Sequence, residues 1–128
     1  MVLLAAVKNE STGELEIRAD GPGLVALATR LISAGYLQLD GVDDPWPYDH
    51  SLDRIEVVVG PERLTITSLD DRRVLRFSGT ADRLAILAAN MRDLASTGCA
   101  GDHLHIEWFP EHYYLSEDSE ALVISFAG

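Results

Sequence analysis

Cysteine is nearly absent from this chain, since Cys99 is the only one among 128 residues. A single cysteine excludes an internal disulfide, and we therefore expect a protein of a reducing compartment, the cytoplasm. Long apolar runs are also missing, because no stretch approaches the roughly 18–20 residues that cross a bilayer. The short apolar start, residues 2–7, is expected to form a strand rather than part of a cleaved signal.

Positive charge is scarce as well. The chain has 10 lysine and arginine residues against 21 aspartate and glutamate residues, which gives a formal net charge of −11 at pH 7. Nucleic acids and anionic membranes are poor partners for so acidic a protein. A basic protein is a suitable partner, because opposite potentials steer two molecules together. Acidity that only keeps the chain soluble is the alternative explanation.

Familiar catalytic motifs are the third absence. The sequence has no P-loop, no dinucleotide fingerprint and no serine-nucleophile motif, and Cys99 has no marked base beside it. We therefore expect no enzyme, no catalytic residues and no cofactor. The apolar content of 47% and the charged content of 24% are ordinary for a globular protein. The length suits a single domain, residues 1–128, with one hydrophobic core.

Two segments about sixty residues apart each follow a strand and a turn with a helical pattern. Apolar residues recur at i, i+3, i+4 and i+7 within residues 24–31 and again within 84–91. This spacing places them on one face of a helix. Capping residues precede both segments, and Gly35 and Gly98 follow them as stop signals. The sequence therefore predicts two amphipathic helices.

Strands flank each helix, so the chain has a ββαββ pattern twice, at about 1–60 and about 61–128. This pattern predicts an α+β fold, in which an antiparallel sheet carries two helices on one face. The segments at 54–59, 63–69 and 73–78 are expected to form a meander. An internal duplication would explain the pattern, but any strand–helix unit shares it, so both explanations stay open.

The stretch HLHIEW sets three polar residues on one face of a strand, because alternate residues point the same way. These residues are His103, His105 and Glu107. Their chemistry suits zinc or non-haem iron. A further histidine at a ligand spacing is missing, and the two helices make the chain unlike a cupin barrel, so we expect no metal. An exposed polar row and a contact with a partner are the other two interpretations.

Two long loops lie at equivalent places in the two halves, the first loop at 40–51 and the second loop at 110–120. Both combine carboxylates with large aromatic side chains, which are typical of interface hot spots. Alternatively, the aromatic side chains fold back onto the sheet. With the polar row, the loops supply the candidate partner-binding residues: Asp43, Asp44, Trp46, Tyr48, Asp49, His103, His105, Glu107, Glu111, Tyr113, Tyr114, Glu117 and Asp118.

The stretches HLHIE and LSEDSEALVI are similar to immunity protein family thirty-two of bacterial polymorphic toxin systems. The resemblance lies mainly in residues 73–126 and is carried by His103, His105, Glu107, Leu115, Ser116, Ser119 and Leu122. The first half departs from it at residues 36–38, where Tyr-Leu-Gln stands in place of the histidine triplet. The resemblance implies a protein that binds and neutralises a toxin made by the same bacterial lineage. The acidic, aromatic loops further predict direct occlusion, in which they cover a basic active site of the toxin.

Two other functions are compatible with the same residues. One is a metal-binding protein or small enzyme that uses the face of His103, His105 and Glu107. The other is a structural module whose exposed sheet face or edge joins two copies. Metal analysis of the purified protein tests the first alternative. Its solution mass tests the second, because the sequence is compatible with a monomer and with a homodimer.

Overall fold

The computed structural model of the chain describes residues 2–41, 48, 50–69, 73–112 and 114–128. Within these residues it confirms the predicted α+β class, with two helices and nine strands. In chain order the elements are β1 Leu4–Lys8, β2 Leu15–Ala19, α1 Gly21–Ser33, β3 Gly35–Gln38, β4 His50–Leu52, β5 Arg54–Val59, β6 Thr65–Leu69, β7 Val74–Gly79, α2 Ala81–Thr97, β8 His103–Ile106 and β9 Leu122–Phe126.

Both helices begin at side-chain caps. The Asp20 carboxylate accepts a hydrogen bond from the Gly23 N–H at 2.8 Å, and Thr80 Oγ1 accepts one from the Arg83 N–H at 3.3 Å. These caps satisfy backbone donors that an isolated helix leaves unpaired. The predicted inner faces are confirmed, because the buried residues of the two helices include Leu24, Leu27, Ala28, Leu31, Leu84, Leu87, Ala88 and Met91.

The strands form two mixed sheets, where one antiparallel sheet was expected. The five-stranded sheet has the order β4-β1-β2-β9-β8, and the four-stranded sheet has the order β3-β5-β7-β6. Each sheet contains one parallel pair, β2 with β9 and β5 with β7. The reason is that each helix connects the two sheets, since α1 joins β2 to β3 and α2 joins β7 to β8.

The expected meander of β5, β6 and β7 is also wrong. Strand β7 lies between β5 and β6, so the tight turn from β5 to β6 joins strands that do not pair with each other. Gly79 ends β7 where it passes the start of β6. A Cβ atom there would lie 2.9 Å from Leu64 Cα, so the close approach requires glycine.

One hydrophobic core joins both sheets and both helices. Ile17 and Ile124 reach it from the five-stranded sheet, Phe77 and Ile55 reach it from the four-stranded sheet, and all four side chains are fully buried. The helices pack mainly against each other and also touch strands of the two sheets. Among the residues described, no helix is both long and apolar enough to cross a membrane.

The two halves exchange strands. Apart from β4, each sheet combines two strands that precede a helix in one half with two strands that follow the helix in the other half. The order β1-β2-β9-β8 in the five-stranded sheet therefore corresponds to β6-β7-β5-β3 in the four-stranded sheet. An internal duplication would produce this correspondence, and the duplication itself stays a prediction.

Candidate partner-binding surface

The outward-facing side of the five-stranded sheet brings residues of both halves together. Ser125 of β9 pairs with His103 on one side and with Arg18 of β2 on the other. His105 lies two residues further along β8 and faces Glu16 across the same strand. We call these five residues the outer face. The parallel pairing of β2 with β9 creates it, because that pairing joins the two halves of the chain.

Hydrogen bonds and an ion pair connect three side chains of the outer face, those of Glu16, Arg18 and Ser125. Arg18 Nε forms an ion pair with Glu16 Oε1, and Ser125 Oγ donates to Glu16 Oε2 at 3.0 Å. Tyr48, from the first loop, donates its hydroxyl to Glu14 Oε1 at 3.0 Å and lies 5.9 Å from the Arg18 guanidinium. Burial and the bond to Glu14 raise the pKa of Tyr48 to about 12. This tyrosine therefore folds back onto the sheet.

The polar row of His103, His105 and Glu107 is exposed and extends along the edge of the sheet. The rings of His103 and His105 have centroids 6.4 Å apart with planes tilted by 32°, and Glu107 lies directly after β8. In the part of the chain that the structure describes, no three histidine, cysteine, aspartate or glutamate side chains are grouped to hold a metal ion. The geometry thus favours a polar row or a partner contact, and the absence of a metal stays a prediction.

The second loop runs along the outer edge of β6. The Leu64 N–H donates to the Tyr114 carbonyl at 3.1 Å, and the Ser116 N–H donates to the Leu64 carbonyl at 2.8 Å. Further along, the Glu120 N–H donates to the Ile66 carbonyl at 2.8 Å. These bonds satisfy backbone groups that an edge strand would otherwise present to another chain. The loop therefore protects the edge of the four-stranded sheet.

A buried histidine organises the turn of the second loop. His112 Nδ1 accepts hydrogen bonds from the N–H groups of Tyr114, at 3.3 Å, and Leu115, at 3.1 Å. Its carbonyl accepts from Arg63 at 2.9 Å, and its ring packs against Phe109 with centroids 4.7 Å apart. Burial and the nearby charge of Arg63 hold the pKa of His112 below its ordinary value. The neutral imidazole is thus the form that accepts these backbone donors.

The second loop presents its predicted residues differently. Glu111, Glu117 and Asp118 are exposed, as a partner-binding role requires. Tyr114 is only 7% exposed and belongs to the core, so it does not offer the accessible contact area expected of it. Its ring packs edge-on against His112, which keeps it inside the protein. Phe109, which was not predicted, is instead 56% exposed.

The first loop is described only in part. Its later residues form β4, where His50 pairs with Lys8 of β1. The buried Lys8 Nζ also donates to Ser68 Oγ at 2.6 Å and lies 3.4 Å from Glu120 Oε1, so the ends of both loops meet at this lysine. Five of the predicted residues lie outside the described part of the chain: Asp43, Asp44, Trp46, Asp49 and Tyr113.

A surface groove of about 260 Å³ lies beside the second loop. Half-buried Trp108 forms an aromatic wall, and Glu117 and Asp118 add two exposed carboxylates. Aromatic faces and carboxylates both attract arginine and lysine side chains. The ring and the two carboxylates suit a cationic side chain, and Arg63 in the same lining already supplies one positive charge. The lining residues of the groove are Arg63, Trp108, Leu115, Ser116, Glu117 and Asp118.

Comparison with protein-family models identifies the family of this chain. A family model described as Immunity protein 32 matches residues 14–53 and 74–127, which is most of the chain. The chain belongs to this family. The family suggested by the HLHIE and LSEDSEALVI stretches is thus confirmed, and the match also includes much of the first half. No curated protein and no solved structure gives a significant match.

In this immunity protein, sequence reasoning missed the residues that the first half supplies to the outer face. Glu16 and Arg18 alternate with the buried Leu15 and Ile17, which is the usual signal of a strand with one exposed face. That signal predicts exposure but not which strand lies beside them. Both matched segments contribute to the outer face, since Glu16 lies in the first and His105 in the second.

Proposed function

We propose that this protein neutralises a cognate bacterial toxin by binding to it directly and covering its active site. Membership of the immunity protein 32 family is the observation that carries the proposal. The role is that of a cytoplasmic binding protein, without catalysis, a cofactor or a metal. The net charge of −11 supports a basic toxin, because opposite potentials accelerate encounter and favour the correct orientation.

The proposed binding surface runs from the outer face to the second loop. At its centre, exposed Phe109 and half-buried Trp108 supply aromatic area of the type enriched in hot spots. Exposed carboxylates surround them and pair with arginine or lysine of the toxin. The acids described by the structure are Glu107, Glu111, Glu117 and Asp118.

The first loop extends this proposed surface. It ends at β4 in the same sheet, and Tyr48 already lies against the outer face. We therefore keep its predicted residues in the proposal and leave out Tyr114, which is buried. The residues retained from the first loop are Asp43, Asp44, Trp46, Tyr48 and Asp49, and Tyr113 is retained from the second loop.

Titration of the purified protein with the toxin encoded by the neighbouring gene tests this function. We expect a tight complex that inhibits the toxin. Replacing Glu117 with glutamine and Asp118 with asparagine together should weaken binding by about 3- to 10-fold, more at low salt, because these charges are exposed. The matched control is Asp82→Asn on α2, which removes an exposed charge outside the proposed surface.

Three results would count against the proposal or its binding surface. A toxin that is neither bound nor inhibited by the wild-type protein would remove the neutralising function altogether. A complex that forms but leaves the toxin fully active would retain the partner and refute occlusion of the active site. Equal weakening by the double substitution and by Asp82→Asn would move the binding surface away from the second loop.

A further inference from the structure

Within the described part of the chain, each sheet has one protected edge and one open edge. In the described residues, β4 from the first loop pairs with β1, and the second loop runs along β6. At the opposite edges, β8 pairs only with β9 and β3 pairs only with β5, among the strands described. An open edge presents unpaired N–H and C=O groups and can accept a strand from another chain.

The backbone of β8 directs two residues toward its open side. The Phe126 N–H donates to the Asp102 carbonyl, whereas the Ala127 N–H donates to the Ala19 carbonyl of β2. The even-numbered residues of β9 therefore bond to β8, and their partners Leu104 and Ile106 bond back to β9. Because backbone groups alternate between the two sides of a strand, those of His103 and His105 point away from the sheet.

A groove lies beside this edge. It has a volume of about 300 Å³ and runs between the end of α2 and β8. Leu94 and Leu104 give it an apolar floor, and both are partly buried. A strand added to β8 would direct alternate side chains toward this groove. Its lining residues are Asn90, Asp93, Leu94, Thr97, His103 and Leu104.

The charges around β8 indicate whether this edge binds a second copy of the chain or a basic partner. Asp93, Asp102 and Glu107 are exposed around β8, and none of the six residues that line the groove is lysine or arginine. A second copy of this chain would bring the same three acids against them, within a molecule whose net charge is −11. A basic segment would meet complementary charge instead, so the edge fits a partner of opposite charge.

We propose that the open edge of β8 binds an extended, basic segment of the toxin, which adds a strand to the five-stranded sheet and places an apolar side chain in the groove at Leu94 and Leu104. This inference rests on the proposed function and names the part of the surface that makes backbone contacts. Backbone hydrogen bonds supply affinity in such complexes, and the groove supplies side-chain specificity.

Two substitutions at His105 separate the backbone from the side chain. His105→Pro removes an outward N–H and leaves the bonds to β9 intact, since an edge position whose N–H faces outward tolerates proline. We expect it to weaken toxin binding by about 10- to 100-fold, because the partner's carbonyl loses its donor. His105→Ala removes the same side chain but retains the N–H, so it measures the side chain alone and should weaken binding several-fold less than His105→Pro does.

The open edge of the four-stranded sheet, at β3, provides a control. The Leu39 N–H donates to the Asp53 carbonyl, so alternation directs the N–H of Gln38 away from β5. Gln38→Pro removes this outward N–H on β3, together with the side-chain hydrogen bond from Gln38 Nε2 to the Asp53 carbonyl at 3.1 Å. We expect it to leave the affinity for the toxin within about 3-fold of the wild type. Loss of binding by Gln38→Pro instead of His105→Pro would overturn the assignment to β8.

Hydrogen exchange of the wild-type protein tests the same contact without a substitution. The amides of His103 and His105 should exchange at least tenfold more slowly in the toxin complex than in the free protein. A complex that forms but leaves both amides unprotected would refute the added strand while leaving toxin binding standing. A β8-mediated homodimer, seen by sedimentation and abolished by His105→Pro, would assign the edge to a second copy and overturn the proposal.

Discussion

At the scale of single residues, His112 fixes the conformation of the second loop. Two consecutive backbone N–H groups, of Tyr114 and Leu115, donate to one imidazole nitrogen. A protonated imidazole has no acceptor and would face these donors with a third N–H. Arg63, bonded to the carbonyl of the same residue, adds an unfavourable positive charge. Each of these features favours the neutral form in the folded protein.

We predict that this residue makes the stability depend on pH. The pKa of His112 is lowered in the folded state, so the unfolded chain binds a proton first as the pH falls. The contribution to stability is complete above the ordinary histidine pKa of about 6.5 and is lost as the pH falls toward the lowered value. Urea denaturation at several pH values between about 7.5 and 4.5 measures it.

Substitutions isolate the effect of His112. His112→Gln keeps an acceptor and does not titrate, so its free energy of unfolding should fall less steeply with pH than that of the wild type. His103→Gln, at an exposed position of β8, should leave the wild-type profile unchanged. Identical pH profiles for the wild type and His112→Gln would show that His112 does not cause the loss.

At the scale of elements, the helices and the loops have different tasks. The helices pack mainly on each other. Ala28 and Ala88, on their inner faces, are almost completely buried, together with the leucines of the same faces. The loops instead complete the sheets, because both protect the edge of a strand with backbone hydrogen bonds.

We predict that Leu27→Ala and Leu87→Ala each lower the free energy of unfolding by roughly 2–5 kcal/mol, the usual cost of truncating a buried leucine. Both side chains are 1% exposed, on the inner faces of α1 and α2. Chemical denaturation of the purified variants measures the change. Ile32→Ala is the control, because this α1 residue is 59% exposed and should cost about 0.5 kcal/mol or less. An unchanged midpoint for either leucine variant would contradict the helix facing.

At the scale of the whole molecule, the proposed toxin binding depends on acidity and on strand exchange. A charge of −11 acts over a distance and would accelerate encounter with a basic partner. The pairing of β2 with β9 places residues of both halves on the outer face, so a toxin bound there, as we propose, would contact both halves. A change that weakens this pairing would then affect both stability and the proposed recognition.

We predict that the charges and the aromatic residue of the first loop affect different rate constants of toxin binding. Asp43 and Asp44 replaced by asparagine should slow association and reduce its salt dependence, because exposed charges act through steering. Trp46→Ala should mainly accelerate dissociation by about tenfold or more, because truncating an interface anchor removes contact area. Surface plasmon resonance at two salt concentrations measures both. Rates equal to those of the wild type, with the fold intact, would exclude the first loop from the interface.

The sequence by itself determined the α+β class, the two helices and their inner faces. Periodicity and capping are local signals, and a run such as residues 24–31 carries them without reference to the rest of the chain. The exposure of His103 and His105 followed from strand alternation for the same reason. The family resemblance also depended on short contiguous stretches, which the match over residues 74–127 includes.

Only the tertiary structure decided which strands are neighbours. A parallel pair such as β2 and β9 joins segments more than one hundred residues apart, and neither strand carries a signal that names the other. The insertion of β7 between β5 and β6 depends on a close approach between Gly79 and Leu64. The burial of Tyr114 depends on the second loop, which runs beside the edge of β6. These outcomes follow from long-range packing and backbone pairing, which local patterns restrict but do not specify.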